Sequence, residues 1–271
     1  MRVGFIGDVC GKPGRDMIRR HLKRVREKHK IDFVIANTEN VSHGSGLLPN
    51  HAAELFDAGI DAMTGGNHTW AKKEIISLLD KEPVLRPLNY PKGVPGRGSL
   101  IFEVCGEKVA VINLMGYFTM PPVNNPFVDI KEEVERIRSE GVKNVIIDFH
   151  AEATSEKRAL MEMLKGKVSA ILGTHTHIGT DDLLIEKGTF YVTDVGLTGC
   201  RDNIIGVKSE PIVRRFLTGL PSRFEVPDDC RKIFQMVIFE LEEGRAKEGY
   251  KIKAYDEKEE EITQKAFIED E

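Results

Sequence analysis

The sequence predicts an α/β protein in which two mixed β-sheets pack face to face with helices outside, an α/β/β/α sandwich. Two observations predict it. Short apolar runs rich in β-branched residues alternate with helix-period segments over most of the chain, as βα units do. Antiparallel hairpin patterns are interleaved with those units, an arrangement that two stacked sheets accommodate better than one parallel sheet.

The elements follow in order. An apolar run at 3–7 reads as a first buried strand, and residues 15–29 form the first clear helix, with Met17, Ile18, Leu22 and Val25 on one face. Further strands are expected at 33–36 and 61–66, and further helices at 50–58, 72–79, 130–139 and 155–164. Residues 99–104 and 108–113 flank Cys105-Gly106-Glu107 as a hairpin, and 183–186 with 189–193 surround another short glycine turn. Strands at 145–149 and 170–174 lie between them. Residues 233–242 alternate as a strand and pair with 250–255 across 244–249. Segments 92–98 and 120–126 are irregular loops that could wall a site, and 256–261 is a charge run expected to be a solvated end of the fold. No internal repeat or linker divides residues 1–271, so a single domain is expected.

With 41% hydrophobic and 30% charged residues, the composition is that of a water-soluble globular protein. No stretch approaches the ~20 apolar residues of a membrane span. The chain opens directly on a strand, without the pattern of a secretory leader, and the expected location is cytoplasmic. Cys10, Cys105, Cys200 and Cys230 form no C-x-x-C pair, so reduced thiols are expected rather than a disulfide framework. The net charge of −4 argues against general coating of nucleic acid but leaves room for a local basic pocket. A homo-oligomer stays open.

Five of the apolar runs each end in a residue able to bind a metal. They lead into Asp8, Glu39-Asn40, Asn67-His68, His150 and His175-Thr176-His177. In α/β sheets, ligands sit beyond the carboxyl ends of the strands. Side by side, these strands would bring oxygen donors and imidazoles to one place, a set suited to Fe, Mn or Zn better than to Mg or Ca. Two cations repel, so one carboxylate usually bridges them, and Glu39 is the expected bridge. Asp8, Asn40 and His177 would then hold one ion and Asn67, His150 and His175 the other. Two such ions about 3.5–4 Å apart clamp a phosphoryl oxygen and make hydroxide available near neutral pH. His68, next to a ligand but free to face a substrate, is the expected proton donor to the departing oxygen.

These residues resemble the calcineurin-like metallophosphoesterase superfamily. The resemblance rests on Gly7-Asp8, Glu39-Asn40, Gly66-Asn67-His68, His150 and Thr174-His175-Thr176-His177. Longer stretches are similar to its bacterial YmdB-like branch: Gly7-Asp8-Val9 with Gly11-Lys12-Pro13-Gly14-Arg15, residues 57–61, Gly66-Asn67-His68-Thr69-Trp70, and residues 214–221. Together they cover nearly the whole chain, to about Phe239. The resemblance implies a two-sheet sandwich, a di-iron or di-manganese centre, His68 as proton donor, and phosphodiesterase activity on 2′,3′-cyclic nucleotides. The chain departs from the wider superfamily where Cys10 stands in place of the histidine of Asp-x-His, and where Glu39 replaces a bridging aspartate. Both departures belong to the YmdB-like pattern, and Asn40 fills the place left by Cys10.

Other readings are weaker. Gly7 and Gly11 enclose three residues, not four, and Pro13 follows Lys12, so no P-loop is present. His21 and His29 read as packed helix residues, and His43, Arg97, Arg214 and Arg215 as surface groups with a minority chance of touching substrate. Asp148 is a possible partner for a ligating imidazole. The rival functions are a phosphomonoesterase or RNA-end nuclease of the same superfamily, and a regulatory protein that has lost activity.

Overall fold

A computed structural model describes residues 1–269. The first sheet contains β1 (Arg2–Ile6), β2 (Phe33–Asn37) and β3 (Ala62–Thr64), all parallel. Beyond β1 it continues antiparallel. The second sheet is built on parallel β5 (Glu107–Met115), β6 (Asn144–His150), β7 (Ala170–Thr174) and β9 (Thr189–Val192). Antiparallel β4 (Ser99–Val104) and β8 (Leu184–Glu186) flank it. The first sheet is completed by β10 (Gly199–Cys200), β11 (Lys232–Glu242), β12 (Arg245–Tyr255) and β13 (Glu261–Lys265), and the second by β14 (Phe267–Glu269) on β8. Both sheets are mixed, as expected, and each has seven strands among the described residues.

Three apolar layers follow from period-2 alternation. In β1, Val3 and Phe5 point to the core between the sheets while Ile6 points to the opposite face. The central layer interleaves Phe33, Ile35 and Phe239 with Val111, Ile146, Leu172 and Phe190, where Phe190 and Phe239 stack at 5.0 Å. Outside the first sheet lie α1 (Gly11–Lys28) and α2 (Pro49–Asp57). Outside the second lie α4 (Pro126–Ser139) and α5 (Thr154–Leu164), which follow a one-turn α3 (Ile76–Leu79). Each helix turns its apolar stripe inward: Met17, Ile18, Leu22 and Val25 in α1, Ile130, Val134 and Ile137 in α4. Among the described residues no helix is long and apolar enough to cross a membrane.

Several expectations are corrected. Helix α1 starts at Gly11, four residues early, because Pro13 in the first turn needs no hydrogen-bond partner for a missing N–H. The helix expected at 72–79 breaks into 3₁₀ turns at Thr69–Ala71 and Lys73–Ile75 before α3. The turn between β11 and β12 is not the broad loop at 244–249 but Glu243-Gly244 alone, with φ of 50° and 84°. The charge run at 256–261 is not simply solvated, since the Glu260 side chain is only 1% exposed and pairs with Arg24 and Lys28. After it come β13 and β14, whose exposed, polar pattern carries no apolar signal. The reduced-thiol expectation fails at one pair: Cys200 and Cys230 are joined, with Cα atoms 5.7 Å apart, because the chain returns to β11 beside β10. Cys10 and Cys105 are free.

The excursion between those cysteines carries α6 (Ser209–Thr218), where Phe216 and Leu217 are about four-fifths exposed. Arg214 lies on the same helix, and Arg215 covers the Phe224 ring. Residues 92–98 pack on α3 and its neighbours, with Gly96 against Leu79 and Arg97 reaching the Asp80 carbonyl. Residues 120–126 lead into α4, with the Asn124 amide donating to the Asn89 carbonyl and Asn125 capping the helix.

Candidate metal centre

Both sheets deliver donors to one place. Asp8 leaves β1, Glu39 and Asn40 leave β2, and Asn67 follows β3. From the second sheet come His150 at the end of β6 and His175 and His177 after β7. The carboxyl ends of the parallel strands converge here, so segments more than 160 residues apart meet: the His175 amide lies 3.2 Å from Asp8 Oδ2.

Glu39, His150 and His175 form a tight group. His150 Nε2 lies 3.0 Å from Asn67 Oδ1, 3.1 Å from His175 Nδ1 and 3.2 Å from Glu39 Oε1. The Glu39 carboxylate also reaches the second group, since Oε1 is 3.0 Å from Asn40 Nδ2. Asn40 Nδ2 is in turn 3.1 Å from His177 Nε2, and His177 Nε2 is 3.8 Å from Asp8 Oδ1. The structure thus brings all seven expected metal-binding residues into one connected cluster, with Glu39 in contact with both His150 and Asn40. Asn40 is the exception in detail. Its NH₂ faces inward and donates to Glu39, so ligation through its oxygen requires the amide to turn over.

The hydrogen-bond partners outside the cluster fix which ring nitrogens face in. Thr174 Oγ1 gives its hydrogen to Asp148 Oδ1 at 2.7 Å, so it can only accept from His150 Nδ1 at 2.9 Å. That leaves the His150 Nε2 lone pair turned inward. His177 Nδ1 donates to the Ile205 carbonyl at 2.7 Å and leaves Nε2 as the inner atom. His175 Nε2 faces Glu152 Oε2 at 3.1 Å and leaves Nδ1 inside. His150 Nε2, His175 Nδ1, Asn67 Oδ1 and Glu39 Oε1 therefore converge within about 3 Å of His150 Nε2, an arrangement held together by a proton on His150 or by a bound cation.

The electrostatics agree. Burial opposes the His150 imidazolium, but the adjacent Glu39 carboxylate outweighs it and raises the pKa to about 9. Burial also opposes the Glu39 carboxylate, and His150 with the His68 amide overcomes it, holding Glu39 well below the usual carboxylate range. His175, buried beside His150, drops to about 3. A proton on His150 is the one cation the cluster itself can supply. The donor set of imidazoles, carboxylates and amide oxygen suits a borderline divalent metal, and the residues fit such an ion.

His68 is held by its backbone: its amide donates to Glu39 Oε2 at 2.9 Å. Its ring is half-buried and has no hydrogen-bond partner among the described residues. Gly66 keeps the space beside it clear, because a Cβ there would collide with Glu39 Oε2 and His150 Nε2. Both φ values in the His175-Thr176-His177 turn that carry ligands are left-handed, 95° and 65°, which is strain of the kind functional sites hold. Asp194 holds that turn, accepting from the Thr176 amide and hydroxyl and from buried Lys157 at 3.0 Å.

Sequence reasoning foresaw Asp148 as a supporting group and missed its partners. Asn37, Thr64 and Thr174 all donate to its carboxylate. These are single polar residues at the ends of apolar strands, and that placement is the only signal they offered. His21 is packed, with its ring on the Asp256 carbonyl, and Trp70 sits against the core beside Tyr90. Cys10 takes no part in the cluster: its thiol is buried toward the Gly206 carbonyl, and burial pushes its pKa up to about 12.

Two helix-flanked mixed sheets with carboxylate, amide and imidazole donors at the strand ends define a metallophosphoesterase, a class that works with divalent metal ions. The chain belongs to the YmdB-like protein family, whose model matches residues 5–252. It is 45% identical over 240 residues to the 2′,3′-cyclic-nucleotide 2′-phosphodiesterase of Bacillus subtilis strain 168, covering 88% of this chain and 90% of that one. Among solved structures it is similar to a hypothetical protein from Thermus thermophilus, with a TM-score of 0.89 and 42% identity over 94% of this chain and 100% of that one. A novel phosphatase from Mycoplasma pneumoniae matches with the same TM-score at 36% identity, over 94% and 93%.

Proposed function

We propose that this protein is a metal-dependent phosphodiesterase that opens 2′,3′-cyclic nucleotides at the 2′ bond. The observation that carries it is the inward-facing set of ring nitrogens, Nε2 of His150 and His177 and Nδ1 of His175, with the other nitrogen of each ring tied to an outer partner. The printed activity of the 45% identical relative supports the substrate class. Asp8, Asn40 and His177 would hold one ion, Asn67, His150 and His175 a second, and Glu39 both, with Fe or Mn preferred and Zn admissible. Bound there, the metal supplies Lewis acidity at the phosphoryl group and hydroxide near neutral pH.

The residues of the chain do the rest. Thr174 and the Ile205 carbonyl orient the rings of His150 and His177. Hydroxide adds to phosphorus, the bond to the 2′ oxygen breaks, and the His68 ring gives that oxygen a proton. The product is a 3′-phosphomonoester. Because both sheets furnish donors to one site, residues 1–271 act as a single domain under this proposal. The cytoplasmic location draws on the free thiols of Cys10 and Cys105, whereas the Cys200–Cys230 bond is unusual for a reducing compartment.

The test is product analysis with metal-replete protein and 2′,3′-cyclic AMP. The proposal expects 3′-AMP. Release of 2′-AMP would put the proton donor on the wrong side, and inert protein would favour a silent regulator. Faster turnover of an aryl monoester would favour a phosphomonoesterase.

A further inference from the structure

On the turns that follow Asp8 and Asn40 lies a cavity of about 260 Å³, walled by Lys12, His43, Lys208, Arg223 and Phe224. Three of its walls continue segments that build the site. Lys12 lies four residues beyond Asp8, and His43 three beyond Asn40. The two turns are tied together, since the Gly11 amide donates to the Asn40 carbonyl at 2.9 Å. Lys208 lies three residues beyond Ile205, whose carbonyl takes the His177 hydrogen. The outer wall folds closely onto these turns: a Cβ on Gly11 or on Gly44 would meet Val226, and both glycines have positive φ.

Charge distinguishes this cavity. Lys208 is matched by Glu225 at 3.1 Å, whereas Lys12 and Arg223 have no ion-pair partner among the described residues. With Asp228 also on the wall, three cations face two carboxylates. That leaves a positive balance at the mouth of a chain whose net charge is −4. The volume falls below the ~300–1,000 Å³ of pockets for whole drug-sized ligands, so it suits one phosphate with its sugar rather than a complete second nucleotide.

We propose that this cavity is a subsite for a second phosphate, and that the preferred substrate is a short oligoribonucleotide ending in a 2′,3′-cyclic phosphate. The inference rests on the phosphodiesterase reading above. On such a chain the terminal ribose carries the cyclic phosphate at one end and, through its 5′ oxygen, the next phosphodiester at the other. A second anion one ribose away from the reacting phosphorus meets Lys12 and Arg223. A free cyclic mononucleotide lacks it.

The experiment compares kcat/KM for 2′,3′-cyclic AMP with that for the adenylyl dinucleotide bearing the same cyclic end, in wild type and in the Lys12→Ala, Arg223→Ala double variant. The dinucleotide should be favoured about tenfold by wild type, chiefly through KM, and the ratio should fall toward one in the double variant. The ratio should also fall roughly threefold in wild type as salt rises from 50 to 200 mM, as one extra phosphate contact on a single strand requires. This second measurement stands even where the variant fails to fold. Equal turnover of both substrates by wild type, or a ratio indifferent to salt, overturns the subsite and leaves the phosphodiesterase reading intact. Wild type inert toward both substrates rejects that reading and the subsite with it.

Discussion

Two buried charged clusters in this molecule are built on opposite plans. Around Glu260, a carboxylate buried to 1% exposure lies 2.7 Å from Arg24 and 2.8 Å from Lys28, opposite charges supplied by the chain. Around Glu39, the neighbours of the carboxylate are the neutral amides of Asn40 and His68 and the His150 ring, whose own neighbours are the Asn67 oxygen and His175 Nδ1. The first cluster is charge-balanced by the chain itself. The second holds two carboxylates, Glu39 and Asp8, with no Lys or Arg paired to either among the described residues, so only a proton on an imidazole or a bound cation balances them. A cluster that the chain leaves electrostatically incomplete is the mark of a ligand site.

Substitutions sharpen the contrast. The largest effect should come from Glu39→Ala, which removes the group shared by both halves. Metal content by plasma mass spectrometry should fall below half of wild type and turnover by more than about 10⁴-fold. Next, His68→Ala should lower turnover by about 10²–10⁴-fold with metal content unchanged, because His68 reaches Glu39 through its backbone amide, which the substitution keeps. Loss of metal in that variant would make His68 a ligand instead. Thr174→Val removes the acceptor that sets the His150 tautomer and should weaken metal binding by about 10–100-fold in a competition titration.

The smallest effect belongs to the balanced cluster. Glu260→Gln should leave turnover intact and lower unfolding stability near pH 7 by about 1–3 kcal/mol in urea titrations. Burial opposes ionisation of Glu260, yet Lys28 and Arg24 outweigh it and hold its pKa at about 2, against 4.5 unperturbed. A pKa depressed in the folded state gives stability that is complete above about 4.5 and is lost as pH falls toward 2. The stability gap between wild type and variant should therefore close across that window. A gap that widened on acidification would contradict the ion pairing.

The site was more legible in the sequence than the cluster that stabilises the fold. Each metal-binding position lies at or just past the end of a mostly apolar strand, so position and chemistry coincide in a short window, as at Gly66-Asn67-His68. Glu260 sat in a run of like charges, and its partners Arg24 and Lys28 lie more than 230 residues away on a helix face that reads as solvated. Asn37 and Thr64 were hidden for a related reason: one polar residue at a strand end has no period, and its meaning appears only when Asp148 arrives from the other sheet. The broken segment at 69–79 misled because Ile75, Ile76 and Leu79 keep helical spacing even where the turns are 3₁₀. Cys200 and Cys230 carry no local signal at all, since return of the chain to β11 alone brings them together.

Anomalous diffraction recorded across the iron and manganese edges tests the central claim most directly. Two metal peaks should appear, one among Asn67, His150 and His175, the other among Asp8, Asn40 and His177, both touching Glu39. Crystals of active enzyme with no peak at Glu39, or with metal bound elsewhere, would contradict it.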